Sequence, residues 1–420
     1  MARNQQPDRA AVKVTLLTAG VLAILGGAAM APALPSIRDQ FSDLPNIDYL
    51  ARFVLTLPAL LIAISAPAAG YLVDRLGRMP ILVFSLALAG LAGTSGVLVT
   101  TFDLLLLGRA FLGVAVAGIM TGGTTLIADY YSGRERARLL GLQTGLMGLG
   151  GVLLLLLTGV LADIRWNIPF LIHLSALLVL PFVLAYLYEP NRDSRCPDDH
   201  PPVGEPGTCA AESVMGADQP ADASSAPDEV PVRLLAFLYL LIIFIQINFY
   251  IVPLYLPFYL DELVGASATQ SAVAISFMAL SYSLSSIFLG KTMARFDRIT
   301  VLILSFLVLT AGYALIPLGA ANILLYIGLV VAGVGLGIVI PSLYIWLANE
   351  TPLAIRGRAL GGFTTAIFLG QFLSPILSQP LIEAFDIGQT LQIASAIFAL
   401  SVPLLYFSRQ GLRQLGTASP

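Results

Sequence analysis

Long apolar segments alternate with short polar segments along almost the whole chain. Each apolar run is close to the about 20 residues that a helix needs to cross a hydrocarbon core of about 30 Å. Twelve such runs can be counted, with approximate limits 14–35, 50–72, 80–100, 104–128, 139–162, 168–188, 234–260, 270–290, 299–319, 322–347, 359–382 and 388–407. They are too long for barrel strands, which need about 9–11 residues. The pattern predicts an all-α membrane protein with twelve transmembrane helices.

The two halves of the chain repeat each other at a constant offset of 220 residues. Matching pairs include Gly70 and Gly290, Arg75 and Arg295, Arg78 and Arg298, Gly113 and Gly333, Arg136 and Arg356, and Arg138 and Arg358. Because separate segments share one offset, we predict two six-helix bundles related by a pseudo-twofold repeat. The amino-terminal bundle would cover residues 1–190 and the carboxyl-terminal bundle residues 233–420.

Residues 191–232 break the pattern, since they are rich in Pro, Asp, Ser, Ala and Gly and almost free of large apolar residues. Such a segment cannot bury enough surface to offset its ordering entropy, so we predict a disordered cytoplasmic linker. It could bind a partner or act as a simple tether, and its composition favours the tether. Its two cysteines, Cys196 and Cys209, match no metal or redox spacing.

Lysine and arginine are distributed unevenly between alternate loops. The chain has a mean hydropathy of +0.86 and 11% charged residues, against about a quarter in soluble proteins. Eighteen of the 22 basic residues fall at the termini or in loops on one side. Arg38 and Arg165 lie in opposite loops, and Arg52 and Arg109 lie within runs. The positive-inside rule then predicts a multi-pass protein of the plasma membrane with both termini in the cytoplasm. The first run is long enough to be a retained helix rather than a cleaved signal.

The polar turn between the second and third runs carries the most specific motif. It places Asp74 and two arginines, Arg75 and Arg78, between Gly70 and Gly77. This segment resembles the turn between the second and third helices of the major facilitator superfamily, especially its bacterial drug-efflux members. The resemblance, like the repeat, covers nearly the whole chain outside the termini and the linker.

The resemblance implies a cytoplasmic gate formed by Gly70, Asp74, Arg75, Gly77, Arg78 and Asp129. In such a gate Asp74 would brace the second helix against the start of the eleventh, near Gly357, and stabilise the outward-facing state. A carboxylate near a helix N-terminus is stabilised by about 0.3–1 kcal/mol. The turn could also serve only to keep two arginines on the inner side, although an aspartate adds nothing to that role.

Polar residues inside the runs mark the expected substrate cavity. Gln246 and Tyr250 are four residues apart in the seventh run and so share a helix face, with Asn248 between them. Arg109 lies within the fourth run, and an intramembrane charge is by default a functional hypothesis. The same amides could instead join neighbouring helices, and Arg109 could reach the membrane surface or bind carbonyl groups.

The resemblance implies a secondary transporter that works by alternating access, most simply by proton-coupled efflux of drug-like or amphipathic compounds. Two features argue against an antiporter. No acidic residue lies near the middle of a run, and the glycine-rich fifth run has no proline. An uncoupled facilitator or a nutrient permease, for example for a sugar, is therefore the alternative. A membrane enzyme or receptor is more remote, because the chain's two histidines supply no nucleophile–base pair or metal site.

We accordingly expect no enzymatic activity, no cofactor and no metal. The expected partners are a small-molecule substrate, membrane lipid and a proton as coupling ion, with no nucleic acid, and the protein is expected to be a monomer. The substrate itself is not encoded in any motif.

Overall fold

A computed structural model describes residues 10–190, 232–319 and 322–407, and these residues are almost entirely helical. The amino-terminal half contains α1 (Ala10–Val21), α2 (Leu34–Gln40), α3 (Ile47–Leu76), α4 (Arg78–Thr94), α5 (Phe102–Tyr130), α6 (Gly133–Ile164) and α7 (Leu174–Tyr186). The carboxyl-terminal half contains α8 (Val232–Val264), α9 (Ala268–Ile287), α10 (Leu289–Arg295), α11 (Arg298–Leu318), α12 (Ile323–Glu350) and α13 (Leu353–Phe407). The predicted linker, residues 191–232, lies outside the described part of the chain except for Val232, which is the first residue of α8.

The first predicted span is broken. Its two arms, Ala10–Gly26 and Ala29–Gln40, meet at an angle of 44°. The 3₁₀ turns Leu22–Gly26 and Ala28–Ala33 lie between α1 and α2. Pro32 removes a backbone donor there, and a Cβ at Gly26 would lie 3.0 Å from the Val116 side chain of α5. The span therefore bends where it approaches its neighbour.

The described helices account for the predicted spans. Nine of them are long and apolar enough to cross a membrane, or ten if the bent first pair is one span. Helix α13 contains both final predicted runs, which are joined at the positive φ of Asp386 (71°). Helix α9 corresponds in position to the predicted run 270–290 but is not among those nine helices. The all-α fold class is confirmed.

Helix boundaries follow the repeat seen in the sequence. Helices α4 and α11 begin at Arg78 and Arg298, which are 220 residues apart. Helices α5 and α12 end at Tyr130 and Glu350, at the same separation. The offset thus relates elements as well as residue types.

Two ends of the molecule are distinguished by their side chains. The arginine-rich end carries the α3–α4 turn, the α5–α6 turn and the start of α13, with Arg75, Arg78, Arg134, Arg138, Arg356 and Arg358. The opposite end carries the α2–α3, α6–α7 and α8–α9 connections and Asp386.

Small residues set the helix packing within each bundle. A Cβ at Gly337 of α12 would overlap the Tyr282 backbone oxygen and the Ser285 hydroxyl of α9, whereas a Cβ at Gly123 of α5 would meet nothing within 4 Å. Small residues commonly allow membrane helices to approach this closely.

We predict that Gly337→Ala lowers the melting temperature of the purified protein, because overpacking costs about 1–3 kcal/mol. Gly123→Ala is the matched control, since it adds the same methyl group to a membrane helix in open space. Its melting temperature should equal or slightly exceed that of the unaltered protein. Equal melting temperatures for both variants would contradict the packing argument.

Candidate functional site

The two bundles meet along two helix pairs, α3 with α13 and α6 with α9. In the first pair the Arg52 Nη1 atom donates a hydrogen bond of 2.6 Å to the Gln379 Oε1 atom. The Phe53 and Phe372 rings lie next to it, with centroids 6.0 Å apart. These residues are nearer to the opposite end than to the arginine-rich end, because Arg52 is only five residues into α3.

The second pair also closes at the opposite end. Asp163, at the end of α6, accepts hydrogen bonds from the backbone N–H groups of Ala268 (2.7 Å) and Thr269 (3.1 Å). These groups open α9, so a carboxylate from one bundle caps a helix of the other. One turn deeper, a Cβ at Gly159 would lie 2.5 Å from the Ala272 Cβ atom, so the two backbones are in close contact.

A third contact between the bundles joins α2 to α8. Arg38 Nη2 lies 3.2 Å from the Asp261 carboxylate, and a second guanidinium nitrogen lies 4.0 Å from Glu262. Within its own bundle Arg38 also contacts Asp39 at 2.9 Å and Asp48 at 4.0 Å. This acidic set balances the arginine at the opposite end.

The same helix pairs separate toward the arginine-rich end. Open space, with nothing within 4 Å of an added Cβ, surrounds a set of glycines at that end of α3, α6 and α13: Gly70, Gly141, Gly145, Gly357 and Gly361. Asp74 is exposed and makes no hydrogen bond or ion pair among the described residues. The bundles therefore form a V that is closed at the opposite end and open at the arginine-rich end.

Hydrophobic burial follows the same geometry. One core cluster unites the carboxyl-terminal bundle with amino-terminal residues near the opposite end, such as Leu34, Phe41 and Phe170. A second cluster, which includes Leu16, Leu82 and Leu126, consists of amino-terminal residues. The apolar core is thus continuous between the bundles at the closed end.

Three of the predicted gate residues form a compact structure within the amino-terminal bundle: Gly77, Arg78 and Asp129. Gly77 has a φ of 104°, a conformation that favours glycine. The Arg78 Nε atom lies 2.7 Å from the Asp129 carboxylate at the end of α5. Glu189, which follows α7, accepts hydrogen bonds from the backbone N–H groups of Arg78 (2.8 Å) and Met79 (2.7 Å). Glu189 therefore caps α4 from a distant part of the sequence.

Asp74 and Gly70 are not part of that structure. The Arg75 guanidinium lies 5.1 Å from the Tyr71 ring on its own helix. Asp74 does not engage α13, whose first residue, Leu353, comes four residues before the predicted start at Gly357. The role of these residues as a gate stays a prediction for the conformation that is closed at this end.

The ion pair of the turn has a counterpart in the second half. Arg298, the first residue of α11, pairs with Glu350, the last residue of α12. The two bundles therefore use the same device, a bond between the start of the third span and the end of the fourth. Sequence comparison at the strict offset hides it, because Asp129 aligns with Asn349 and not with Glu350.

The three polar residues predicted on the seventh span are buried in α8. Gln246 is 3% exposed, and its Cβ would lie 2.7 Å from a Cβ at Gly370 of α13. Its Oε1 atom has no hydrogen-bond partner among the described residues. Asn248 Nδ2 donates to the Phe244 carbonyl, and the Asn248 carbonyl accepts from the Tyr313 hydroxyl. Tyr250 is 3% exposed. A substrate role for these residues stays a prediction.

Arg109 lies inside the amino-terminal bundle and is 1% exposed. Its Nε atom donates to the Val54 carbonyl at 2.9 Å, and its Nη1 atom lies 3.3 Å from the His173 Nε2 atom. The Phe170 ring lies 5.9 Å away. The carbonyl partner is one of the alternatives that the sequence left open, and a cavity role for Arg109 also stays a prediction.

Sequence reasoning overlooked three residues that the structure brings into prominence: Arg52, Asp163 and Glu189. In the sequence, Arg52 is notable only because it lies within a run, and Asp163 and Glu189 belong to no motif. A signal was available for Arg52, which is a second intramembrane arginine and so met the same criterion as Arg109. The partners of all three lie more than 100 positions away in the chain, and no local pattern shows such distances.

Comparisons with known proteins agree with this geometry. The sequence model of the Major Facilitator Superfamily matches residues 16–263 and 238–415. The chain is 32% identical to the tetracycline resistance protein, class H, of Pasteurella multocida over 172 residues, which are 40% of this chain and 42% of that protein. It is 23% identical to the multidrug transporter protein MdtP of Bacillus subtilis, over 91% of this chain and 79% of that one.

A solved structure shares the fold. The crystal structure of a D-xylose-proton symporter superposes with a TM-score of 0.70 over 92% of this chain and 96% of that one, at 16% identity. The family that the α3–α4 turn resembles is thus the family whose sequence model matches.

We predict that Asp163→Asn loosens the closed end. The neutral amide loses the favourable interaction of a carboxylate with the start of α9, about 1 kcal/mol or about fivefold in the equilibrium. The measurement is the rate at which a membrane-impermeant maleimide labels Ser271→Cys, a buried position on α9 (1% exposed), in a background with Cys196→Ser and Cys209→Ser.

The control for this experiment is Asp43→Asn, which removes an exposed carboxylate at the same end that has no partner among the described residues. Labelling should accelerate about fivefold in Asp163→Asn and stay unchanged in Asp43→Asn. Equal labelling rates in all three proteins would show that the cap does not hold the bundles together.

Proposed function

The chain belongs to the Major Facilitator Superfamily and is a membrane transporter of that family, and from this premise we propose that it exports drug-like or amphipathic compounds by proton-coupled alternating access. The observation that carries this proposal is the V formed by the two bundles. Hydrogen bonds, ion pairs and apolar packing join them at one end, and open space separates them at the other. A central cavity in such a machine is reached from one side at a time.

Alternating access requires that the closed end open without unfolding either bundle. The contacts between bundles are suited to this, since they are single hydrogen bonds, a helix cap and partly exposed ion pairs. Contacts of this kind contribute about 0.5–3 kcal/mol each. The bonds inside each bundle, such as Arg78 with Asp129, can remain intact throughout the cycle.

Export as the direction is supported by the relatives. Two of them are named for tetracycline resistance and multidrug transport, although the first match covers less than half of that protein. The arginine-rich end would face the cytoplasm by the positive-inside rule, with both termini on that side. The open end of the V would then receive substrate from the cytoplasm or the inner leaflet.

Asp74 would act as a gate in the conformation that is closed at the arginine-rich end. In the V, the carboxylate is exposed and unpartnered, and the start of α13 is surrounded by open space at Gly357 and Gly361. Closure of the arginine-rich end would bring Asp74 to that helix start, where a carboxylate is stabilised.

An uncoupled facilitator remains the second candidate because of the placement of the acids. In the described spans, the carboxylates lie near helix ends, for example Asp48, Asp129 and Glu383. A coupling proton would therefore have to bind near an end rather than at the middle of the membrane.

The decisive experiment uses proteoliposomes with an imposed pH gradient and tetracycline, ethidium or xylose as the transported compound. We expect one of the two amphipathic compounds to accumulate against its gradient and the accumulation to collapse when an ionophore removes the pH difference. Downhill movement that does not depend on the pH gradient would support an uncoupled facilitator in place of proton-coupled export. Movement of xylose without either amphipathic compound would favour a nutrient permease.

We predict that Asp74→Asn reduces flux at least several-fold, because loss of about 1 kcal/mol of helix-terminus attraction destabilises the conformation that is closed at the arginine-rich end. The amount of protein in the membrane should not change, since Asp74 has no partner in the V. The measurement is flux per inserted protein, with Asp43→Asn as the control. Unaltered flux in Asp74→Asn would remove the gate assignment.

A further inference from the structure

Arg52 is a buried cation between the two bundles. It is 4% exposed, and its guanidinium carbon lies 4.3 Å from the Tyr255 ring and 5.1 Å from the Phe258 ring, both on α8 of the other bundle. Gln379 of α13 supplies its side-chain hydrogen bond, through Nη1 at 2.6 Å. All of these side-chain contacts come from residues of the carboxyl-terminal bundle.

The partners of Arg52 do not neutralise it. None of the ion pairs among the described residues includes Arg52, and its closest polar partner is a neutral amide oxygen. The Nε atom is buried and has no hydrogen-bond partner, and no hydrogen bond of Nη2 is seen in the described part of the chain. The two donors on the side of the guanidinium that carries Nε and Nη2 therefore lack an acceptor among the described residues.

A carboxylate has the shape and charge to accept from both of these donors. Arginine donates two parallel hydrogen bonds to a carboxylate, and these bonds are about twice as strong as bonds between neutral groups. A buried charge without a counter-charge is costly, so a ligand that neutralises it gains affinity. The neutral Gln379 amide accepts a hydrogen bond from one guanidinium nitrogen and leaves the positive charge without a counter-charge.

The other arginines differ in their partners or their place. Arg38, which is half-buried at the same end, contacts Asp39 and Asp261. Arg78 and Arg136 are bound by Asp129 and the Ala128 carbonyl of their own bundle. Arg109 is bound by a carbonyl and a histidine of its own bundle, away from the interface, although its Nη2 atom also lacks a partner. Arg52 combines burial, an interface position and a donor pair without an acceptor among the described residues.

The repeat shows that Arg52 replaces a tight contact. At the offset of 220, Arg52 corresponds to Ala272 and Gln379 corresponds to Gly159. Ala272 and Gly159 touch each other in the α6–α9 pair, just as Arg52 and Gln379 touch in the α3–α13 pair. One interface is closed by two small residues, whereas the equivalent position in the other holds a cation and an amide. Two small residues suffice to pack such a helix pair, so packing alone does not explain an arginine and a glutamine at these positions.

On the basis of the transport function proposed above, we propose that Arg52 is a specificity-determining residue that binds the carboxylate of an amphipathic organic anion during transport. The apolar part of the anion would lie against the Phe53 and Phe372 rings, the partly buried pair on the side of the V's open end. A carboxylate on Nε and Nη2 neutralises the guanidinium and so weakens the charge-assisted hydrogen bond from Nη1 to Gln379. Binding of substrate thereby weakens one contact of the closed end.

The test compares 2-naphthoate with 2-naphthamide, which share an aromatic body and differ in charge. Binding of each to the purified protein is measured by ligand-induced change in melting temperature and by isothermal titration at neutral pH. The unaltered protein should bind the carboxylate more tightly than the amide. Arg52→Gln should weaken naphthoate binding tenfold or more, as loss of a charged hydrogen bond implies, and leave naphthamide within twofold.

Arg165→Gln is the matched control. It removes one positive charge from the same end of the molecule, and its exposed side chain has no partner among the described residues. Naphthoate binding should not change in this variant. Arg52→Lys keeps the charge without the paired donors, and its affinity should fall between those of the unaltered protein and Arg52→Gln.

Gln379→Glu tests the demand for a counter-charge directly and guards against misfolding of Arg52→Gln. It supplies a carboxylate to Arg52 from within the protein and loses the hydrogen bond to Glu383, so naphthoate binding should fall in a protein that still melts cooperatively. Equal affinity for both probes in the unaltered protein, or equal losses for both in Arg52→Gln, would overturn the proposal. Unchanged naphthoate binding in Gln379→Glu would do the same.

Failure of this inference can be told from failure of the proposed function. Transport of neutral or cationic amphipathic compounds without preference for the carboxylate probe would remove the role of Arg52 and keep the transporter. Absence of any amphipathic transport, with xylose moved instead, would remove the export proposal, and the naphthoate measurements would then report a binding site alone.

Discussion

A cation enclosed among apolar helices must find a partner, and the position of that partner decides whether the cation stabilises one bundle or joins two. Arg78 and Arg298 pair with acids at the ends of neighbouring spans in their own bundles, and Arg109 is bound by groups of its own bundle. Arg38 and Arg52 instead reach across to α8 and α13. Breaking a buried pair inside a bundle leaves an uncompensated charge and costs several kcal/mol. In the proposed transport cycle, bundles held in this way would move as units, and the contacts exchanged during movement would lie between them.

The geometry of the two interfaces follows from this division. Helices α6 and α9 approach through Gly159 and Ala272 and are fastened by the Asp163 cap. Helices α3 and α13 approach through Arg52 and Gln379, with rings on either side. The first contact depends on shape and one charge at a helix start, and the second on a cation that prefers an anion to an amide. The two halves therefore repeat each other in backbone position but differ in side chains at these contacts. The polar pair lies in the α3–α13 contact, where the proposed substrate would pass.

Much of the fold could be predicted from the sequence, because apolar length and a fixed offset are local or regular signals. The spans, the repeat and the α3–α4 turn belong to that class. The break in the first span was missed, since Gly26 and Pro32 are tolerated in many membrane helices and only the approach of α5 makes the bend necessary. The Glu189 cap and the Asp163 cap were missed because their partners are set by tertiary packing. Asp74 shows a further limit, since a residue proposed to act in one conformation has no partner among the described residues in the other.

The position of Gln379 links these points. Arginine has no acceptor, so the amide must turn its oxygen to Arg52, and its nitrogen then donates to Glu383 at 2.8 Å. Glu383 is the repeat counterpart of Asp163, which caps α9 directly. In the α3–α13 pair the equivalent acid is occupied by Gln379 rather than by the start of α3, whose equivalent residues are Asp48 and Tyr49. A second carboxylate, Asp48, at that helix start would repel Glu383, whereas Ala268 at the start of α9 leaves Asp163 free to cap it. The acid in place of an alanine at the start of a helix therefore gives an electrostatic reason why Glu383, unlike Asp163, does not cap the opposite helix.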